Sequence, residues 1–261
     1  MALSNIERHY NKHPEDLRLT RRHGIVEFET TMYHLRKYLQ PGYTILDIGA
    51  GTGRYTSALM AEGYSVKAVE LVQRNIDVFL KREPNADVVK GDARDLSSIP
   101  TATADITLLL GPLYHLFGDE DKAQVLREAR RVTKPGGIIF VAYLMNEYSI
   151  LSYCFDEDRI SDLMERGVVD ADFHIRSHPD ELYDYIRLED IDRLNAMVGL
   201  QRVTIFSPDG AADYMRTRLN RMSDATFARF IDYQKTISER PDLIGAGSHT
   251  VDVLRTDTLL Q

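Results

Sequence analysis

Between residues 43 and 144, short apolar runs alternate with amphipathic helical stretches. "YTILDIG", "SVKAVEL", "ADVVKGDA", "ADITLLLG" and "IIFVAYL" read as strands. "YTSALMAEG", "QRNIDVFLKRE" and "EDKAQVLREARRVTKPGG" read as helices, stopped by Gly63, by Pro84 and by a Pro-Gly-Gly exit. The strand runs are almost continuously apolar. That pattern belongs to a parallel sheet covered by helices on both faces, an α/β doubly wound arrangement. Residues 5–39 read as helical, with Val26, Met32, Leu35 and Leu39 on an apolar face and Pro41-Gly42 as the stop. After residue 144 the regularity breaks. Residues 145–187 are polar and rich in Tyr, Asp and Glu, and read as irregular helix. "LEDIDRLNAMVGL" restores a helix, and "LQRVTIFSPDG" and "SHTVDVLRT" read as two late strands with helix over about 211–240 between them.

The 261 residues suffice for one large domain with a sizeable core, so residues 1–261 are expected to form a single unit. A formal net charge of -8 argues against a large nucleic-acid surface, although Arg18, Arg21, Arg22 and His23 form a local basic cluster. The single cysteine, Cys154, excludes an intrachain disulfide and points to a reducing, cytoplasmic setting. "MALSNIERHYNKHPED" is too polar for a secretory leader, and the apolar runs fall well short of the roughly 20 residues that span a membrane.

The first strand runs into "ILDIGAGTGRYT", with Gly49, Gly51 and Gly53 directly after Asp47 and Ile48. Glycine is costly to order, so three in five residues need a reason. The dinucleotide pattern G-x-G-x-x-G does not fit: the third glycine comes one residue early, and Arg54 stands where that pattern wants glycine. In a doubly wound sheet, ligands sit beyond the carboxyl ends of the strands, where strand order reverses. Glycines there let a ligand touch the backbone. Glu70 ends the second strand, where a carboxylate can accept both hydroxyls of a ribose. Asp92 follows the third, where it can accept from an adenine amino group.

"LDIGAGTGRYT", "VKAVEL", "GDARDL", "ITLLLGPLYHL" and "RVTKPGGIIFVAY" resemble, in order and spacing, the class I S-adenosylmethionine-dependent methyltransferases over roughly residues 42–144. "RLTRRHGIVEFETTMYHLRKYL" is similar to a group of small bacterial members with ill-defined substrates. The resemblance implies a Rossmann-like seven-stranded sheet with the last strand antiparallel, and S-adenosylmethionine as cofactor with S-adenosylhomocysteine as product. It implies that Gly49, Gly51 and Gly53 face the methionine part, that Glu70 holds the ribose, that Asp92 and Ala93 flank the adenine, and that Gly111 closes the pocket. Asp47, Ala50 and Leu71 join this cofactor set. The early third glycine then suits a single nucleoside with an amino-acid tail, which lacks a pyrophosphate.

Methyl transfer from a sulfonium is an in-line displacement, so the protein mainly aligns the acceptor and excludes water. A hydroxyl or ammonium acceptor also needs a base. His115 in "GPLYHLF" is the first candidate, with the rate expected to rise through the ordinary histidine range; Tyr114 beside it is a second catalytic candidate. Aromatic rings can face a sulfonium, which brings in Tyr10, Tyr33 and Tyr148. The first 40 residues, with Tyr10, Arg22 and Tyr33, are expected to form a helical lid. Residues 145–187, with Asn146, Tyr148, Tyr153 and Phe155, are expected to form a helical cap over the acceptor. His249 opens the last strand without an assigned role. His174 and His178 lack the partners of a metal site, and no metal is expected. The reading is a methyltransferase for a small-molecule acceptor, of oxygen, nitrogen or sulfur. Two alternatives stand: an enzyme that cleaves or cyclises S-adenosylmethionine, and a nucleic-acid or protein methyltransferase, against which "GPLY" argues because it lacks the Pro-Pro-aromatic pattern of amine-methylating base enzymes. Oligomeric state is not legible.

Overall fold

The structure, a computed structural model, describes residues 5–12 and 18–257. Seven strands form one sheet: β1 (Thr44–Ile48), β2 (Ser65–Glu70), β3 (Asp87–Lys90), β4 (Ala104–Leu109), β5 (Thr133–Leu144), β6 (Gln201–Phe206) and β7 (His249–Arg255). Their order is β3-β2-β1-β4-β5-β7-β6. β1 to β5 pair in parallel, and β7 lies antiparallel between β5 and β6. Strand order reverses between β1 and β4, which places the ligand crevice beyond their carboxyl ends.

The helices are α1 (Asn5–Lys12), α2 (Arg22–Arg36), α3 (Arg54–Ala61), α4 (Gln73–Arg82), α5 (Asp119–Val132), α6 (Asn146–Ser149), α7 (Ile160–Glu165), α8 (Leu188–Val198), α9 (Arg216–Leu219) and α10 (Asp224–Ile237). The continuous apolar runs of the strands feed both faces, because successive side chains point to opposite sides. Ile45, Phe140 and Val253 join Met32 and Leu35 of α2 and Leu59 of α3 in one core. Leu46, Val141 and Leu254 join Leu126 and Ala129 of α5 and Leu194 of α8 in the other.

Three expectations need correction. The Pro-Gly-Gly segment is not a helix exit: α5 ends at Val132 and β5 has begun by Thr133. Thr133 pairs with Ala104 and Ile138 with Ile106, so the intervening residues bulge, and a proline in a bulge costs no ladder hydrogen bond. Residues 5–39 are not one helix. α1 and α2 are separate, with a 3-10 turn at Arg18–Thr20; residues 13–17 of that stretch lie outside the described residues. Within 145–187, a π-helical stretch (Ile150–Phe155) lies between α6 and α7, and the remainder after α7 is non-helical. Ile150, Cys154, Leu163 and Val169 give the insertion its own small core. Among the described residues no helix is long and apolar enough to cross a membrane.

Candidate active site

The glycine turn joins β1 to α3, and its three glycines all have positive φ, 74° at Gly49, 57° at Gly51 and 78° at Gly53. The structure gives them different tasks. A Cβ at Gly51 would meet nothing within 4 Å, so this glycine opens into the crevice. A Cβ at Gly53 would stand 2.3 Å from the Phe79 ring. Gly53 therefore lets the turn seat on α4 rather than face a ligand, and it is absent from the crevice wall that Gly49, Ala50 and Gly51 form.

Glu70 ends β2 beneath this turn and is 5% exposed. Its Oε2 accepts the Gly51 N–H at 2.8 Å. Its Oε1 accepts the Val72 N–H at 2.9 Å and the Asn75 amide at 3.1 Å. Burial raises its pKa, and these donors oppose the rise. A carboxylate has about four acceptor positions. Three are filled, and Oε2 keeps one. Asp47, also buried, accepts from Thr56 Oγ1 at 2.6 Å, and burial pushes it up to about 6.

Asp92 sits across the crevice. Burial works to raise its pKa, but the Arg94 guanidinium at 2.7 Å and the Arg94 N–H hold it below the usual range. Leu71, Val72, Ala93, Leu110 and Gly111 complete a cavity of ≈ 200 Å³. Thus Asp47, Gly49, Ala50, Gly51, Glu70, Leu71, Asp92, Ala93 and Gly111 share one crevice, and Gly53 lies behind it. A buried carboxylate with an acceptor position to spare, beside a glycine with open space where a side chain would be, fits the sugar and tail of a nucleoside cofactor.

The far end of the crevice is lined by Tyr114, His115, Ile6 and Tyr10. The His115 Nδ1 is 2.9 Å from the Leu182 carbonyl, which can only accept, so Nδ1 carries the proton. Nε2 then accepts from the Tyr10 hydroxyl at 2.9 Å. Burial lowers the His115 pKa to about 4, against the opposing pull of the Leu182 carbonyl. The insertion builds the wall beside this histidine: the Tyr183 ring lies 5.3 Å from the His115 ring, and Asp184 N–H donates to the Tyr114 carbonyl at 2.8 Å. Lys122 pairs with Asp184, fixing that wall to α5.

The remaining expected residues go elsewhere. Arg22 donates to the Leu219 and Met222 carbonyls at 3.0 and 2.6 Å and pairs with Asp224 at 2.7 Å, so it clasps α2 to α9 and α10. Tyr33 is 42% exposed on α2, with the Lys37 ammonium 4.7 Å from its ring centre. Asn146 is buried, donates to the Phe173 carbonyl at 2.9 Å and accepts the Ile175 N–H at 2.9 Å, tying the insertion together. Tyr148 is buried beside Arg216 and Tyr214. Tyr10 lines the crevice, and these four do not.

Sequence reasoning overlooked Thr56, Asn75 and Arg74. Asn75 and Thr56 stand in the first turns of helices that follow the two acidic strand ends, a position from which a polar side chain can reach back. Arg74 donates to the carbonyls of Tyr10 and Asn11, holding α1 over the crevice. Nothing local marks that role.

Residues 46–141 match the family described as Methyltransferase domain. The Cypemycin N-terminal methyltransferase of Streptomyces sp is 36% identical over 103 residues, 38% of this chain and 41% of that one. The Ubiquinone biosynthesis O-methyltransferase of Caulobacter vibrioides is 24% identical over 203 residues, 76% and 73% of the two chains. The chain thus spans about two fifths of the length of the Streptomyces relative. A solved Thermotoga maritima structure, described as a S-adenosylmethionine-dependent methyltransferase and possible histamine N-methyltransferase, superposes with a TM-score of 0.59. The superposition covers 97% of this chain and 99% of that one at 17% identity.

Proposed function

We propose a reaction for a chain that belongs to the class I S-adenosylmethionine-dependent methyltransferases: transfer of the cofactor's methyl group to a small-molecule acceptor seated between Tyr114, His115 and the 145–187 insertion. The observation that carries this reading is the buried Glu70 carboxylate bonded to the open Gly51 turn. Glu70 would hold the ribose, Ala93 and Leu71 would flank the base, and Asp47 with the glycine turn would face the amino-acid tail. When bound, the sulfonium supplies an already activated methyl group. The chain's residues need only orient the acceptor, exclude water and accept a proton where the acceptor carries one. The names of two relatives, an N-terminal methyltransferase and a ubiquinone biosynthesis O-methyltransferase, support acceptors of nitrogen or oxygen without choosing between them.

His115 would accept a proton at Nε2, a reading supported by its unprotonated Nε2 facing the Tyr10 hydroxyl. Its basicity differs from the sequence expectation. A pKa lowered to about 4 leaves it a free base across the neutral range, and it is protonated only as pH falls towards that value. S-Adenosylhomocysteine formation, measured by mass spectrometry across a panel of phenols, amines and thiols, should therefore show no histidine limb between about pH 6 and 8. His115→Ala should lower turnover for a hydroxyl acceptor by about 100-fold or more with little change in cofactor affinity. Consumption of S-adenosylmethionine without S-adenosylhomocysteine would instead favour a lyase or cyclase.

The lid narrows from residues 1–40 to α1 and the Arg18–Thr20 turn, since α2 is core. Its grip is polar: the Tyr10–His115 hydrogen bond, the Arg74 bonds to α1 carbonyls, and a Lys90–Glu7 pair at 3.7 Å. An acceptor reaches Nε2 only by displacing the Tyr10 hydroxyl or by passing its proton through it. Hydrogen exchange of α1 should slow on addition of S-adenosylhomocysteine, while α2 stays protected in both states. Equal exchange of α1 with and without ligand would make it a fixed cover.

A further inference from the structure

At the same edge of the sheet, one ring away from the crevice, two carboxylates meet an imidazole. β6 and β7 are paired neighbours, which brings Asp209, just after β6, against His249, the first residue of β7. The Asp209 Oδ2 lies 2.7 Å from His249 Nδ1, and the same carboxylate accepts the His249 backbone N–H at 3.0 Å. Asp213 follows one turn later. One donor atom from each of Asp209, Asp213 and His249 lies within 4.8 Å of the others. All three side chains are at most 11% exposed. The backbone is shaped around them: a Cβ at Gly247 would stand 2.6 Å from Asp209 Oδ1. The Tyr114 ring, which lines the crevice, is 6.3 Å from the His249 ring.

Burying carboxylates is costly unless positive charge compensates. Arg216 meets one oxygen of Asp213 at 2.9 Å and leaves the other. A proton between Asp209 and His249 balances the second carboxylate. That proton occupies the place a metal ion takes when it replaces one, because metal ligands bind deprotonated. A separate observation points the same way. His23 of α2 has a buried Nδ1 with no hydrogen-bond partner, and Asp213 is the strongest charge acting on that ring.

We propose that Asp209, Asp213 and His249 bind one divalent transition-metal ion at the acceptor end of the crevice. Two carboxylates with one imidazole suit Mn²⁺, Fe²⁺ or Zn²⁺ better than Ca²⁺ or Mg²⁺, which prefer oxygen alone. An ion there would bind an oxygen-bearing acceptor and make its hydroxyl more acidic. That consequence rests on the methyl-transfer reading; the site itself does not.

The test is calorimetric titration of the chelator-treated full chain with MnCl₂ and with ZnCl₂, in two buffers of different ionisation heat. One saturable site per chain is expected, with a heat that varies between buffers because a proton leaves the Asp209–His249 pair. Asp209→Asn and Asp213→Asn should each weaken binding by about 100-fold or more. His178→Ala, at an exposed histidine paired with Asp180, should change nothing. Near-ultraviolet circular dichroism checks folding, and Asp213→Asn serves if Asp209→Asn fails to fold. Absence of saturable binding tighter than about 1 mM for both metals overturns the site. So does binding that a folded Asp209→Asn or Asp213→Asn variant retains at full strength.

Discussion

Gly53→Val should destabilise the protein by about 3 kcal/mol or more, read as a lowered urea midpoint, and should do so with no ligand present. Two costs add. The backbone at Gly53 has φ 78°, where a Cβ is strained. The new side chain would also start 2.3 Å from the Phe79 ring, which is fully buried on α4 and has no room to retreat. Gly51→Ala should behave differently. It pays the cost of a positive φ, about 1 kcal/mol, but its Cβ meets only open crevice. The variant should stay folded and bind S-adenosylhomocysteine poorly. Equal loss of stability in the two variants would mean that the turn's glycines share one packing role and that Gly51 does not face a ligand.

Glu70→Ala should weaken S-adenosylhomocysteine binding by about tenfold or more. The position left open on Oε2 can accept one ribose hydroxyl, and a hydrogen bond to a charged acceptor is worth about 1.5–3 kcal/mol, roughly tenfold or more. The loss has a second source. The carboxylate also holds the Gly51 and Val72 N–H groups, so its removal loosens the turn that forms the crevice wall. Glu70→Gln separates the two. Its amide keeps the volume but carries no charge, and its NH2 must face either the Val72 N–H or the Gly51 N–H, neither of which can accept. Binding should fall here too, with the fold intact. Equilibrium dialysis with labelled ligand reads both variants, and an unchanged affinity in Glu70→Ala would remove Glu70 from the ribose role.

The sheet and its crevice were legible because their causes are local. The continuous apolar runs dictate a sheet covered on both faces, and an acid at the end of β2 needs no distant partner to be noticed. The glycine turn was legible as a site, but the division of labour within it was not. Phe79 is 26 residues from Gly53 in sequence, and nothing near the turn says which glycine packs on it. The same limit hid the fate of Arg22, which spends its donors on carbonyls at Leu219 and Met222. Basic residues near an N-terminus suggest a ligand carboxylate when the helix they must clasp is out of sight. His115 was found by its place after β4, yet its protonation state depends on the Leu182 carbonyl and on burial beneath Tyr183, both supplied by the insertion. His249 and Asp209 were unreadable as a pair for the same reason: forty residues separate them, and β6–β7 pairing closes that gap.

A crystal structure of the protein with S-adenosylhomocysteine tests the central claim most directly. The nucleoside is expected in the crevice beyond β1 and β4, with a ribose hydroxyl within hydrogen-bond distance of Glu70 Oε2, its base beside Leu71 and Ala93, and its sulfur end pointing towards Tyr114 and His115. Ligand density elsewhere, or a ribose that leaves Glu70 bonded to Gly51, Val72 and Asn75 alone, would contradict it.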